Sequence, residues 1–220
     1  MTYKPVAVVL LSGGVDSTTL LYYVIKKMHY DTVFALGFDY GQQHKKELKS
    51  ARRICEELGI TFFLVEIKSL FEAQETLLTE NIPIGLEEQE KTVVTMRNAI
   101  FLIVAAKKII DMGLANYEDK NRRIDIFFAP NLDDFRCYID CRPEFVEAIS
   151  KVVSISSDGL IRGVYAPFIG MTKAEIIKLG KELGVPYYLT WSCYKGGDKP
   201  CGVCPACIER KEAFENAGKN

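Results

Sequence analysis

Val6-Ala7-Val8-Val9-Leu10-Leu11-Ser12-Gly13-Gly14-Val15-Asp16-Ser17-Thr18 is the stretch that decides the fold. Its first six residues are apolar and rich in β-branched side chains, which suits a strand buried on both faces. Ser12-Gly13-Gly14 breaks the run, and Leu21, Val24, Ile25 and Met28 then recur at helical spacing as one apolar stripe. A strand that turns through glycines into a helix brings the first helical amides, and the positive end of the helix dipole, up to an anion. Leu10, Leu11, Ser12, Gly13, Gly14, Val15, Asp16, Ser17 and Thr18 are the candidate phosphate-loop residues. Within them the glycines allow close backbone approach, Ser12 and Ser17 add hydroxyls, and Asp16 is placed to orient Mg²⁺ or the loop itself. No lysine follows the glycines, so the loop is not G-x-x-x-x-G-K-[ST], and its spacing is not G-x-G-x-x-G either.

Outward from this stretch the pattern is that of a parallel sheet with helices on its faces. Residues 33–38 read as a second strand, 42–58 as a helix ended by Gly59, and 61–67 as a third strand. Residues 69–92, with Pro83, Gly85 and an acidic run, read as surface loop. Residues 93–112 are apolar on nearly every face and predict a buried helix; 114–123 read as an exposed turn. Residues 124–129 and 163–168 predict the fourth and fifth strands, and Thr172-Lys173-Ala174-Glu175 is a capping box that opens a helix closed by Gly184 and Pro186. The expected layout is an α/β domain over residues 1–190 and a cysteine-rich segment over 191–220 packed on it.

Length and composition bound the rest. At 220 residues there is room for one good-sized domain or one with a small appendage. A chain that is 48% hydrophobic and 26% charged is a globular protein rather than a disordered one. With 28 basic against 29 acidic residues the net charge is −1, which argues against avid nucleic-acid binding. The longest apolar run, residues 99–106, is far short of the roughly 18 residues of a membrane span. No signal-peptide pattern precedes the first strand, so a cytoplasmic location is expected.

Cysteine placement matters more than cysteine number. Cys193-x7-Cys201-x2-Cys204-x2-Cys207 offers four thiolates to one tetrahedral ion, and short Cys-x2-Cys turns are how structural zinc sites are built. The expected ion is a structural Zn²⁺ on Cys193, Cys201, Cys204 and Cys207; an iron–sulfur cluster is the weaker reading. Cys55 sits on the apolar stripe of its helix, and Cys137 and Cys141 are one helical turn apart.

The loop resembles the S-G-G-x-D-S pyrophosphatase loop of the PP-loop ATPases, which activate a substrate as its adenylate and release pyrophosphate. Further segments resemble the 7-cyano-7-deazaguanine synthase family, the queuosine-pathway PP-loop enzymes that make a nitrile from a carboxylate. Asp39-Tyr40-Gly41-Gln42-Gln43-His44 with Glu47 matches that family's Y-G-Q-x-H-x-x-E segment, and Arg97-Asn98 matches the pair heading its central helix. Tyr138, Asp140, Cys141, Arg142, Pro143, Glu144 and Phe145 match Y-P-D-C-R-P-E-F except at one position, and residues 172–194 with the four cysteines fit its C-terminal signature. The chain departs at Thr95-Met96, where the family carries a proline, and at Arg136-Cys137, where it carries S-G.

The resemblance implies a parallel-sheet PP-loop fold and use of ATP with Mg²⁺. It further implies ammonia and 7-carboxy-7-deazaguanine as the other substrates, and a homodimer. Asp16, Ser17, Arg97 and His44 are then the catalytic candidates. Arg97, Asn98, Asp140 and Arg142 are the substrate candidates, the guanidiniums for carboxylate or phosphate and Asp140 for ring N–H groups. His44 suits a proton shuttle or a helix-terminal packing role equally. Rival readings keep the loop: a relative that passes the acyl group to another amine, even one on a protein, and a tRNA sulfurtransferase with sulfur on Cys137 or Cys141. A zinc-ribbon interaction module is the non-enzymatic rival. No membrane partner and no stable nucleic-acid partner is expected.

Overall fold

The computed structural model describes residues 5–42, 45–71, 93–115 and 123–219. Five strands, β1 (Val6–Leu10), β2 (Thr32–Asp39), β3 (Phe62–Glu66), β4 (Ile124–Phe127) and β5 (Ile161–Tyr165), form one sheet in the order β3-β2-β1-β4-β5. Every pairing is parallel, with Val8 opposite both Phe34 and Ile126 in the centre. Among the described residues six α-helices connect or follow them: α1 (Val15–Lys27), α2 (Lys46–Leu58), α3 (Arg97–Asp111), α4 (Pro143–Ser156), α5 (Lys173–Glu182) and α6 (Pro205–Asn216).

The strand period of two divides the core. Val6 and Val8 join Leu36, Phe38, Ile124 and Ile126 on one face, covered by Leu102 and Ile109 of α3 and Ile149 and Val153 of α4. Ala7, Val9 and Leu11 join Ala35 and Phe127 on the other, covered by α1, α2 and Ile176 of α5. Burial of both faces is why β1 reads as an unbroken apolar run. Because β2 and β4 flank β1 and their connections leave to opposite sides, a crevice opens at the carboxyl ends of these strands.

The expected elements recur with shifted ends. The second helix starts at Lys46, not Gln42, because the Gln42 side chain is engaged with the backbone of Tyr40 and Phe38. The third helix starts at Arg97, after Met96 in the left-handed region at φ 61°, and Ile103 on it is 49% exposed; it is covered on one face and not buried all round. The fifth strand lies two residues earlier than expected, after a register irregularity between Ile124 and Asp125. The expected loop at 69–92 and turn at 114–123 fall mostly outside the described residues. Helices α4 and α6 were not expected, although each carries proline in its first turn, where the missing N–H has no intrahelical acceptor to lose. The capping box at Thr172 and Glu175 is formed on both sides, and Cys55 is buried in the core.

Candidate active site and cysteine cluster

The turn after β1 is held by its own hydroxyls. Ser12 Oγ and Ser17 Oγ lie 2.9 Å apart, Ser12 N donates to Ser17 Oγ and Gly14 N donates to Ser12 Oγ. Gly14 is the extended N-cap of α1 and provides no side-chain cap, so the first amides of the helix face the crevice without a side-chain acceptor. Gly13 adopts φ +89°, and a Cβ there would meet Glu47 O at 2.1 Å and Ala51 N at 2.8 Å. The approach of α2 alone therefore requires glycine here.

A cavity of about 320 Å³ opens over this turn, at the ends of β1, β2 and β4. One end is charged. Lys173, at the start of α5, lies 3.7 Å from Asp16 Oδ2 and 3.3 Å from Glu209 Oε2. Against a burial penalty, Asp16 and Glu209 hold its ammonium charged above the ordinary lysine range. Burial raises Asp16 and pushes Asp134 up to about 6, in both cases against the pull of Lys173. Asp16 Oδ1 is buried with no hydrogen-bond partner, an orphaned anionic oxygen that fits a cation such as Mg²⁺.

The other end is aromatic. Phe38 and Phe101 stack at 4.3 Å between ring centroids, with Tyr40 5.4 Å from Phe101; Tyr138 and Tyr194 complete the wall. Arg97 enters here, its guanidinium carbon 5.9 Å from the centre of the Tyr40 ring. Glu47 is the carboxylate of this end, and burial pushes it up to about 7 despite a hydrogen bond from Gln42 and the charge of Arg97. Flat rings beside an arginine suit a planar heterocycle that carries an anionic substituent.

The structure gathers Leu10, Leu11, Ser12, Gly14, Asp16, Ser17, Arg97 and Asn98 around this cavity. Other sequence candidates stand outside its lining. Val15 packs among Ile177, Ala213 and Ala217, and Thr18 is fully buried beneath the turn. Asp140 is taken up at the start of α3, where its Oδ2 accepts from Asn98 N at 3.1 Å and its carbonyl from Asn98 Nδ2. Arg142 spends both Nε and Nη2 on the carbonyl of Phe135. Both therefore have partners in the wall beside the cavity, where the turn from Ile139 to Cys141 pairs its polar groups. His44 lies outside the described residues. Lys173, Asp134 and Glu209 were missed as site residues. The Thr172 capping box fixed the start of α5 and so placed Lys173 at a strand-facing helix end, but nothing local marks Glu209, which comes from α6.

Cys141 also lines the cavity; burial raises its thiol, against the opposing pull of Asn98 Nδ2, which donates to its sulfur at 3.5 Å, so the thiolate is disfavoured there. Cys193, Cys201, Cys204 and Cys207 bring one sulfur each to within 4.8 Å of one another. Sulfurs on a tetrahedral zinc at about 2.3 Å stand roughly 3.8 Å apart, and Cys201 and Cys207 are at 4.0 Å, so the set fits Zn²⁺. Backbone donors fix it further: Cys201 N points to Cys193 Sγ and Cys204 N to Cys201 Sγ. The segment is stitched to the phosphate turn, since Trp191 N donates to Gly13 O at 3.0 Å. Arg210 of α6 ties Thr190, Ser192 and the Tyr187 carbonyl together behind it.

Over residues 6–218 the chain matches the family described as Queuosine biosynthesis protein QueC. It is 42% identical over 214 residues to a 7-cyano-7-deazaguanine synthase of Archaeoglobus fulgidus, covering 94% of this chain and 85% of that protein. The corresponding figures for the protein of that name from Caldicellulosiruptor bescii are 42% over 218 residues, 96% and 93%. Among solved structures, the U34-tRNA thiolase NcsA from Methanococcus maripaludis, with its [4Fe-4S] cluster, aligns with a TM-score of 0.54 at 17% identity over 95% of this chain and 62% of that one. A 4-thiouridine synthetase in complex with RNA and ATP aligns with a TM-score of 0.54 at 18% identity over 96% and 50%. At such low identity these two share the fold alone. A match that runs from the first strand through the last helix, with relatives this similar over most of their length, carries more: the chain belongs to the QueC family of queuosine biosynthesis proteins.

Proposed function

We propose that this chain converts 7-carboxy-7-deazaguanine and ammonia into 7-cyano-7-deazaguanine, using ATP and releasing AMP and pyrophosphate. The observation that carries this is the pairing, in one cavity, of an anion-binding helix end with an aromatic, arginine-bearing end, in a chain whose relatives bear that synthase name. A carboxylate is a poor electrophile. Adenylation supplies a leaving group, ammonia displaces AMP to give the amide, and a second adenylation on the amide oxygen lets AMP depart and leave the nitrile. Positioning and charge stabilisation are the protein's share of such chemistry.

In this reading Ser12, Gly14, Ser17 and the first amides of α1 hold phosphates, and Asp16 with Asp134 holds Mg²⁺, which offsets phosphate charge when bound. Lys173 pairs with the phosphates once it is drawn from Asp16 and Glu209. Arg97 takes the substrate carboxylate while the aromatic wall takes the deazapurine, and Asn98 with Asp140 and Arg142 keeps that wall in place. Zinc on the four cysteines holds the 191–220 segment against the phosphate turn over residues 1–190 and takes no part in the reaction. A cytoplasmic homodimer without nucleic-acid partner remains the expected form; no helix among the described residues is long and apolar enough to cross a membrane.

Incubation with ATP, ammonium and 7-carboxy-7-deazaguanine, followed by mass analysis, tests the reading. The expected products are the nitrile, AMP and pyrophosphate, with nitrile formation dependent on ammonium. ADP with phosphate, or AMP release with a deazapurine adduct on a protein, would turn it over. The Asp16→Asn variant should fold and bind zinc yet lose at least about 100-fold in turnover, the usual scale for removing a charge-stabilising group.

A further inference from the structure

Resting on that function, we propose that Glu47 is the base that takes the protons from the substrate nitrogen. Nitrogen enters as ammonium and ends in a nitrile with no hydrogen, so every N–H bond must be broken to a base within the cavity. The described carboxylates of the charged end are committed elsewhere. Asp16 and Glu209 face Lys173, and Asp134 accepts from Asn131 N at 3.2 Å. Glu47 is the carboxylate at the aromatic end, on the first turn of α2, where the acyl carbon of a substrate seated on Arg97 would lie.

Its setting is built to keep it an acceptor. Gln42 is buried, and its amide is locked: Oε1 accepts from Tyr40 N at 3.0 Å, while Nε2 donates to Phe38 O at 3.1 Å and to Glu47 Oε1 at 3.2 Å. Gln42 therefore presents N–H, not C=O, to Glu47. The other charged or titratable groups facing Glu47 are Arg97 from α3 and Tyr40 from the end of β2. Burial places its carboxyl near 7, where a group accepts a proton from ammonium and returns it to solvent at neutral pH.

The steps balance. An N–H proton of ammonium moves to the Glu47 carboxylate, and the freed lone pair attacks the acyl carbon. AMP leaves with the C–O pair, and a second N–H proton follows once Glu47 has been emptied to solvent. In the second half the amide oxygen attacks the α-phosphorus of a second ATP and pyrophosphate leaves. The oxygen then departs with AMP, and the two remaining N–H protons pass in turn to Glu47, emptied to solvent between them, as the nitrogen's electron pairs complete the C≡N bond.

The experiment compares wild type with Glu47→Gln, whose carbonyl can still accept from Gln42. Two rates are followed: carboxylate-dependent exchange of pyrophosphate into ATP, and nitrile formation from the carboxylate and from the preformed amide. The expected result is exchange within a few-fold of wild type and a loss of 100-fold or more in nitrile formation from either substrate. The acidic limb of the wild-type pH profile, near 7, should be missing from the residual rate. Glu47→Asp should restore part of the nitrile rate and with it a titrating limb. Nitrile formation by Glu47→Gln within a few-fold of wild type, or exchange lost in parallel with it in a variant at least as thermally stable as wild type, overturns the assignment. If the wild type itself makes no nitrile, the proposed function fails and the role of Glu47 falls with it.

Discussion

Gly13 shows how much one missing methyl group can decide. It lies within the phosphate turn, yet the space it vacates is filled by the Glu47 carbonyl and the Ala51 amide of α2, and its φ of +89° is one that side chains rarely adopt. Gly13→Ala must therefore push α2 away from the turn and strain the backbone at once. A loss of about 2–4 kcal/mol is expected, read as a fall in thermal midpoint, with ATP binding weakened because the phosphate turn itself is displaced. Unchanged stability in Gly13→Ala would mean that α2 can retreat freely. Gly14 differs in kind, since the nearest atom to its absent Cβ is the Ser12 hydroxyl at 3.3 Å, the flexible end of a side chain.

At the scale of elements, two short segments carry the site. The turn from Ile139 to Cys141 lends Asp140 to the start of α3, which otherwise has no side-chain cap after the left-handed Met96. Asp140→Ala should cost about 1 kcal/mol and raise the KM for the deazapurine more than it lowers kcat, because Arg97 directly precedes Asn98, whose N–H Asp140 holds; steady-state kinetics separate the two. The cysteine segment is the second. Without a metal, burial raises Cys204 and pushes Cys207 up to about 12, whereas, against its own desolvation, donors from Val203 and Cys204 pull Cys201 down to about 6. Four thiols cannot ionise together in so small a space unless a cation joins them. Cys204→Ser should lose most of the bound zinc and lower the thermal midpoint by several degrees, since metal binding contributes to folding. Metal analysis beside calorimetry checks it. ATP use should suffer too, because Trp191 N holds Gly13 O.

For the whole molecule, the cavity sets a pH dependence of stability. Burial raises Glu47 from 4.5 to about 7 and Asp134 from 3.8 to about 6. Both carboxyls bind protons more tightly folded than unfolded, so their share of stability is full below about pH 4. It falls as pH rises through 6 to 7 and is level above that. Thermal midpoints of the ligand-free protein are expected to decline from pH 5 to pH 8. Glu47→Gln should flatten that decline and be more stable than wild type at pH 8 by on the order of 2 kcal/mol, with little difference at pH 5. An equal offset at both values would show that Glu47 is not held in a costly buried state.

The sequence alone determined the parallel α/β rhythm, the S-G-G-V-D-S turn and the spacing of the four cysteines, because each is written locally. β1 is apolar on both faces, the turn needs glycine, and chelation needs short Cys-x2-Cys steps. The C-R-P-E-F segment does not by its motif mark the helix it opens; the period of Val146, Ile149 and Val153 beyond it carries α4. Only the tertiary structure decided which charges share the cavity. Lys173, Asp134 and Glu209 come from three separated segments, and no periodicity links them. They meet because α5 packs against α1 and α6 against α5, while the turn that carries Asp134 is tied to the start of α5 by Leu132 N to Met171 O and Lys173 N to Asp133. Asp140 and Arg142 likewise meet their partners, Asn98 and the Phe135 carbonyl, only in the folded chain.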